Sequence, residues 1–195
     1  MARRRIGVLA LQGDFREHLE VVAQLGAVAA PVRTPEELTG VDALVVPGGE
    51  STTIGRLATI YGLMEPLRER LGDGMPALGT CAGMIFLGAA TTGPVQPQVG
   101  ALDVVVERNA FGRQVDSYEA ALDVVGWPEP LHAVFIRAPW IQKVGADVEV
   151  LATVHDPDAD EERAVFVRQD RILATSFHPE LTGDTRIHEM LLEVT

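Results

Sequence analysis

The sequence predicts an α/β fold built on a doubly wound, mostly parallel sheet, with antiparallel additions in its C-terminal half. Three observations carry this. Short runs that are apolar throughout alternate with segments of helical period as far as Ala90, which is the pattern of parallel strands covered on both faces. Two of those runs end in glycine-rich turns, Pro47-Gly48-Gly49-Glu50-Ser51 and Gly79-Thr80-Cys81-Ala82-Gly83. Beyond Ala90 the helical pattern gives way to short strand-like segments.

In chain order, residues 6–11 read as a strand buried on both faces. Phe15, Leu19, Val22 and Leu25 then recur at helical spacing, and Gly26 stops the helix. Residues 27–32 are a second apolar run. Thr34-Pro35-Glu36-Glu37 starts a helix, with Thr34 as cap, Pro35 at the first position and Glu37 closing a capping box. Residues 43–46 form a third strand, which the Pro47–Ser51 turn breaks. Helical segments around 54–57 and 64–71 precede the fourth strand, which runs into Cys81 and a strongly apolar helical segment. Residues 91–100, rich in Pro, Gly and Gln, read as a loop. Strands are expected at 102–107, 133–136, 148–154, 164–167 and 172–176, the last two joined as a hairpin through Gln169-Asp170. The acidic run 156–162 reads as an exposed turn. A closing helix spans 185–194, with Ile187, Met190, Leu191 and Val194 on one face. No linker or internal repeat divides the chain, so residues 1–195 are expected to form one domain.

Composition narrows the function classes. Hydrophobic residues make up 47% and charged residues 23%, values of an ordinary globule rather than a disordered chain. The formal net charge is -12, which gives no general attraction to nucleic acid or to an anionic membrane. The one cysteine cannot form an internal disulfide and suits a reducing cytosol, so a cytoplasmic location is expected. The basic start Arg3-Arg4-Arg5 precedes an apolar run that stops at Gln12-Gly13-Asp14, too short for a signal peptide. No stretch approaches the roughly 18 apolar residues of a membrane span.

The chemistry centres on Cys81. An apolar strand, a Gly-x-Cys-x-Gly turn and an immediate helix form the layout of a nucleophile elbow carrying sulfur. The thiol would sit at a helix N-terminus, where unpaired N–H groups favour a thiolate. A lone cysteine is also commonly a small buried hydrophobe, so the elbow needs a base to support it. Of five histidines, His18, His132, His155 and His188 stand in polar or helix-surface contexts and read as solvated or edge residues. His178 differs: it follows an apolar strand and stands in His178-Pro179-Glu180. Pro179 biases His178 away from helix, and in an extended segment Glu180 would point to the same side. Glu180 would then orient the imidazole that serves Cys81. A metal site is the competing use of these residue types, and the sequence offers no further ligand at sensible spacing. The oxyanion of acyl transfer needs donors; Ala82 N–H is one, and the turn at Gly48-Gly49 offers a second.

The motif Gly79-Thr80-Cys81-Ala82-Gly83 with a distant His178-Pro179-Glu180 resembles the class I, triad-type glutamine amidotransferases. More narrowly, six stretches resemble the glutaminase subunit of the two-subunit pyridoxal 5'-phosphate synthase: 11–13, 47–53, the cysteine elbow, 107–117, 135–139 and 176–182. They follow the family's order over nearly the whole chain. The resemblance implies a three-layer, flavodoxin-like α/β fold and hydrolysis of L-glutamine to glutamate and ammonia. The ammonia would pass to a barrel-shaped synthase subunit, in a large ring assembly, that makes pyridoxal 5'-phosphate. That compound would be the product of the complex, and no cofactor or metal is expected in this chain. It further implies Cys81 as nucleophile, His178 as proton shuttle and Glu180 as orienter. Gly49, Glu50, Ser51, Arg108, Ile136 and Arg137 would hold the glutamine, whose free carboxylate and ammonium demand a cation and acceptors. Gly49 and Ala82 would form the oxyanion hole, and Gln12 and Gly13 would meet the partner.

Departures are few: Ala110 stands where a serine is expected, and residues 156–163 look longer and more acidic than usual. Two rival readings stay open. The glutaminase subunit of another pathway shares the elbow and the His-x-Glu pattern but not the 107–117 stretch. A noncatalytic redox-sensing module on the same scaffold would have no need of Glu180.

Overall fold

The apolar runs form the strands of a long mixed sheet, seen in a computed structural model that describes residues 3–108, 117–156 and 160–195. β1 (Arg5–Leu9), α1 (Phe15–Gln24), β2 (Val28–Val32), α2 (Pro35–Thr39), β3 (Ala43–Val46), α3 (Ser51–Ile60), α4 (Met64–Gly72), β4 (Ala77–Thr80) and α5 (Ala82–Leu87) alternate as expected. The C-terminal half adds β5 (Gly88–Thr92), β6 (Leu102–Glu107), β7 (Ser117–Leu122), β8 (Leu131–Ile136), β9 (Trp140–Val144), β10 (Glu149–Asp156), β11 (Glu161–Gln169), β12 (Ile172–Thr175) and α6 (Arg186–Glu193). Thr34 caps α2 in the predicted capping box with Glu37, and Pro35 opens that helix. Gly26, at φ 79, ends the turn after α1.

The sheet order is β2-β1-β3-β4-β12-β11-β9-β6-β5, with β10 on β11. From β2 to β12 every pairing is parallel; β12–β11, β11–β9, β9–β6 and β10–β11 are antiparallel, and β5–β6 is parallel. Pro31 lies in β2, an edge strand, where a missing N–H is tolerated.

Alternation along the strands sorts the core into two layers. Leu44, Val46, Ala77 and Ala174 face one side and pack with Leu38, Ile54, Leu67 and Phe86 of the helices there. Ile6, Val8, Val45, Leu78 and Leu173 face the other and meet Val22, Ile187 and Leu191 together with Leu131 and Phe135 of β8. The result is three layers, with α2 to α5 on one face, and α1, α6 and the separate β7–β8 ribbon on the other.

Three strands escape the sequence pattern. β7 has the sequence SYEAAL, poor in strand formers and half exposed. β5 begins at a glycine directly after α5, and β9 is short and stands just after Pro139. The acidic run is only partly a turn. Asp156 is a buried strand residue paired with Arg163 at 3.3 Å, and Glu161 and Glu162 belong to β11. Residues 157–159 lie outside the described residues, as do 109–116, which hold most of the 107–117 stretch and Ala110.

The fold brings the carboxyl ends of four neighbouring strands, β1, β3, β4 and β12, to one edge of the parallel half. Each is followed by a predicted site segment: 11–13, 47–51, 81–83 and 176–180. The close packing there depends on Gly83, since a Cβ on it would lie 1.9 Å from the carbonyl oxygen of Val46. Gly83→Ala should therefore lower stability by about 1–3 kcal/mol, as overpacking does, when unfolding is followed in urea. Wild-type stability in that variant would contradict the packing described.

Candidate active site

Cys81 occupies the turn between β4 and α5 with φ 50 and ψ -108, an unusual conformation for a residue with a side chain. Such backbone typically costs of order 1–3 kcal/mol and persists only where its surroundings hold it. Here Cys81 N–H donates to Thr175 O of β12 at 2.8 Å, and Cys81 O accepts from Met84 N–H at 3.1 Å. The sulfur is left at the surface of a cavity, with the residue 7% exposed. α5 is only six residues long, so the local N–H groups matter more at Cys81 than any long-range dipole. Ala82, the first residue of α5, has an N–H with no intrahelical acceptor and lines the same cavity.

His178 follows β12, and its N–H donates to Val134 O of β8 at 2.9 Å. The imidazole Nδ1 lies 2.7 Å from Glu180 Oε1. The predicted contact is present, but its geometry differs from the expected extension. Pro179–Leu181 forms a 3-10 turn, and this turn, rather than strand alternation, brings Glu180 back under the ring. Burial alone would lower the pKa of His178. Its hydrogen bonds with Cys81 and Glu180, and their negative charge, outweigh that effect and push it up to about 10. Burial pushes Glu180 upward, against the pull of its hydrogen bond from His178. The geometry is that of a nucleophile, a base and an orienter.

The cavity of about 460 Å³ is lined by Gly49, Glu50, Ser51, Cys81, Ala82, Arg108, Ile136, Arg137 and His178, nine of the residues the sequence singled out. Glu50 caps α3, accepting from Thr52 and Thr53 N–H at 3.3 and 2.7 Å, and Arg108 Nη2 donates to its Oε1 at 2.8 Å. Burial would raise the Glu50 carboxyl; the bonds from Thr53 and Thr52 and the Arg108 charge overcome this and hold it low. One wall therefore carries a fixed carboxylate beside a guanidinium. Ser51 Oγ and Thr52 Oγ1 both donate to Gln96 Oε1, at 3.1 and 2.9 Å. Gln96, buried in what reads as a loop, was not foreseen.

Gln12 and Gly13 adjoin the cavity behind the glycine turn. Gln12 Oε1 accepts from Glu50 N–H at 2.7 Å, and Gly48 O accepts from Asp14 N–H at 3.4 Å. A Cβ on Gly48 would fall 2.5 Å from His178 Cε1, so glycine there permits the close approach of the imidazole.

Besides Gln96, sequence reasoning missed three further residues. Asp14 stands at the N-cap of α1 without making a cap bond; its Oδ2 lies instead 3.6 Å from His178 Nδ1. An aspartate before a helix reads as a cap, which hides this use. His18 and His188, expected at the surface, are buried against each other, with His18 Nδ1 2.8 Å from His188 Nε2. Both are one turn from apolar residues of an amphipathic face, and that spacing was the available signal. His132 and His155 are exposed, as expected. Among the described residues, Asp14, His178 and Glu180 bring metal-type donor atoms within 4.8 Å of one another, though Glu180 Oε1 is already engaged by His178 Nδ1.

Comparisons with known proteins bear on the family and the fold. The model of the SNO glutamine amidotransferase family matches residues 8–195. A protein of Streptomyces coelicolor named pyridoxal 5'-phosphate synthase subunit PdxT is 58% identical over 192 residues, 97% of this chain and 92% of the relative. One of Rhodococcus jostii with the same name is 54% identical over 200 residues, 100% of this chain and 98% of the relative. A crystal structure described as a glutamine amidotransferase superposes with a TM-score of 0.89 at 52% identity, over 97% of both chains. PurLQS of Thermotoga maritima has the same fold, with a TM-score of 0.72 at 16% identity over 99% of both chains.

The raised pKa of His178 has a consequence for stability. Its folded value of about 10 exceeds the unfolded value of about 6.5, so its contribution is full below the unfolded value and is lost as pH rises through about 10. Wild-type stability should therefore carry a component that declines from pH 7 to pH 10, and His178→Ala should lack it. Parallel urea-unfolding curves for the two proteins across that range would contradict the ion pair.

Proposed function

The chain belongs to the SNO glutamine amidotransferase family, and from that premise we propose that it hydrolyses L-glutamine as the glutaminase subunit of a pyridoxal 5'-phosphate synthase. The observation that carries this is the line from Cys81 through His178 to Glu180, beside a cavity with Arg108 and Glu50 on its wall. In this reading the Cys81 thiolate attacks the side-chain amide carbon, and the oxyanion gathers N–H donors from Ala82 and the Gly48-Gly49 turn. The His178 imidazolium gives its proton to the amide nitrogen, which leaves as ammonia. A water then attacks the thioester, passing its proton to His178, and glutamate departs as the thiolate is restored. Glu180 holds the imidazole by Nδ1 throughout and makes no bond to substrate.

Arg108, Arg137 and Glu50 supply the unlike charges that a free amino acid requires, while Ser51, Gly49 and Ile136 shape the same wall. The proposal makes residues 1–195 one glutaminase domain that needs no cofactor of its own. Ammonia would go to a barrel-shaped synthase subunit in a ring assembly, where pyridoxal 5'-phosphate is the product. No helix among the described residues is long and apolar enough to cross a membrane. The location proposed is the cytoplasm.

Coupling to the partner has a physical means. Gly49, at φ 142, is in a conformation open to glycine, and the Gly48 carbonyl points at Asp14 N–H. In a trans peptide the Gly49 N–H points the opposite way, so reversing that peptide exchanges a donor for an acceptor in the site. Gln12 and Gly13 press directly on this turn. Docking at residues 12–13 and α1 would select the orientation that aims the N–H at the oxyanion, a population shift driven by differential affinity.

Two sets of measurements test this reading. Cys81→Ala should abolish ammonia release while remaining folded, whereas Glu180→Gln should keep more activity than either Cys81→Ala or His178→Ala. Substantial turnover by Cys81→Ala would remove the nucleophile assignment. Glutaminase activity should rise roughly 10²- to 10³-fold when the synthase subunit is saturating, the range for gaining one oxyanion donor. Equal turnover with and without that subunit would defeat the coupling and leave the triad standing.

A further inference from the structure

Behind the triad lies a polar chain that the reaction as written does not use. His18 on α1 and His188 on α6 are fully buried, at 0% and 1% exposure, and bonded to each other. His18 Nε2 lies 3.4 Å from Glu180 Oε2 and 3.2 Å from Thr80 Oγ1 on β4. Glu180 thus meets an imidazole at each carboxylate oxygen: His178 at Oε1 and His18 at Oε2. Among the described residues, Oε2 has no hydrogen bond within ordinary limits, and 3.4 Å to His18 is longer than a well-formed one. A buried carboxylate oxygen left without a partner calls for a donor, and His18 Nε2 stands nearest among the contacts described.

The tautomers follow from the remaining atoms. His188 Nδ1 is buried with no partner among the described residues. Leaving an acceptor nitrogen there is less costly than leaving an N–H, since orphaned buried donors are the rarer case. His188 therefore carries its proton on Nε2 and donates to His18 Nδ1. His18 must then carry its own on Nε2, the nitrogen 3.2 Å from Thr80 Oγ1 and 3.4 Å from Glu180 Oε2. Each proton in the chain then lies on the ring nitrogen nearer the carboxylate.

We propose that His18, backed by His188, is a positioning residue for glutamine hydrolysis: it holds the buried Glu180 carboxylate by Oε2 in the orientation that His178 requires. The inference rests on the glutaminase reading above. The groups facing this point are His178 beyond β12, Asp14 and His18 of the α1 segment, His188 of α6 and Thr80 of β4, with Cys81 beyond His178. Burial, then the neighbouring His188 and His178, holds His18 well below its ordinary pKa, so it acts as a neutral donor. Burial and the charge of Asp14 favour protonation of Glu180, against the hydrogen bond and charge of His178; an N–H from His18 would act on the same side as His178.

The test compares His18→Phe, which fills the space without a donor, with His18→Gln, whose amide N–H reaches the Nε2 position. Both are assayed in whichever condition, alone or with saturating synthase subunit, gives wild-type turnover. His18→Phe should lower kcat roughly 10- to 100-fold with little change in KM, the scale of one hydrogen bond to a charged group. Its acid limb should move to higher pH, because Glu180 then takes up a proton more readily. His18→Gln should recover most of the rate. Wild-type kcat and pH profile in folded His18→Phe would overturn the proposal, as would His18→Gln no better than His18→Phe. If His18→Phe does not fold, His18→Asn, whose amide reaches only the Nδ1 position, takes its place in the comparison. An independent reading comes from imidazole nitrogen-15 spectra of the wild-type chain, which should find His18 neutral with its proton on Nε2. A proton on Nδ1, or a charged His18 near pH 7, would overturn it. Wild-type inactivity in both conditions would count against the glutaminase reading, and the spectra would then decide the positioning claim alone.

Discussion

The backbone of Cys81 is the constraint on which the rest of the site depends. Held at φ 50 and ψ -108, it stays there because β12 accepts its N–H at Thr175 O and the first turn of α5 donates to its carbonyl. The same two elements carry the other reacting groups. β12 leads directly to His178, and α5 begins with the Ala82 N–H. Strain at the nucleophile and alignment of its base are therefore one structural event. The parallel pairing of β4 with β12, Thr80 beside Thr175, fixes both.

Parallel strands make that arrangement possible. In a doubly wound sheet the loops that follow neighbouring strands emerge at the same edge, and groups far apart in sequence meet there. Gln12, Gly48, Cys81 and His178 are separated by tens of residues and lie at the ends of four adjacent strands. The antiparallel strands and the separate β7–β8 ribbon are placed differently. β8 receives the His178 N–H at Val134 O and delivers Ile136 to the cavity, while β6 leads to Arg108. The parallel half of the sheet thus leads into Cys81 and His178, while β6 and the β7–β8 ribbon lead into part of the cavity wall.

How much of this was legible in the sequence follows from what each residue's signal depends on. The parallel strands were legible because burial on both faces leaves an unbroken apolar run, as in 43–46 and 172–175. Cys81 was legible because the elbow needs glycine at close approaches, and Gly83 meets Val46 O. The hairpin at Asp170 was legible from its turn residues, and Asp170 indeed has φ 51. β7 was not, because a half-exposed two-stranded ribbon tolerates Ser, Glu and Ala, which carry no strand signal. The expectation for His18 and His188 erred for a related reason. A histidine on a helix is polar by composition, and nothing local tells that a second histidine, 170 residues away, will cover it. Glu180 was correctly linked to His178 through the wrong backbone, since a 3-10 turn and an extended segment both bring residues two apart within reach of each other's side chains.

The electrostatics of the site have a direction that no single pair explains. Asp14 and Glu180 both lie near His178 Nδ1, at 3.6 and 2.7 Å, and Cys81 lies beyond the ring. Such a concentration of acidic groups favours an imidazolium, which burial alone would oppose. Burial alone would strip the ring of its proton, whereas the Glu180 carboxylate bonded to Nδ1 helps hold that proton on the imidazole. The carboxylate can do this only while ionised, and Glu180 is buried enough for its own proton affinity to rise. A donor on its far side is the physical remedy, and neutral His18 stands there, with Nε2 3.4 Å from Glu180 Oε2. Read this way, the buried histidines of α1 and α6 belong to the same electrostatic unit as the nucleophile, joined to it through the carboxylate of Glu180.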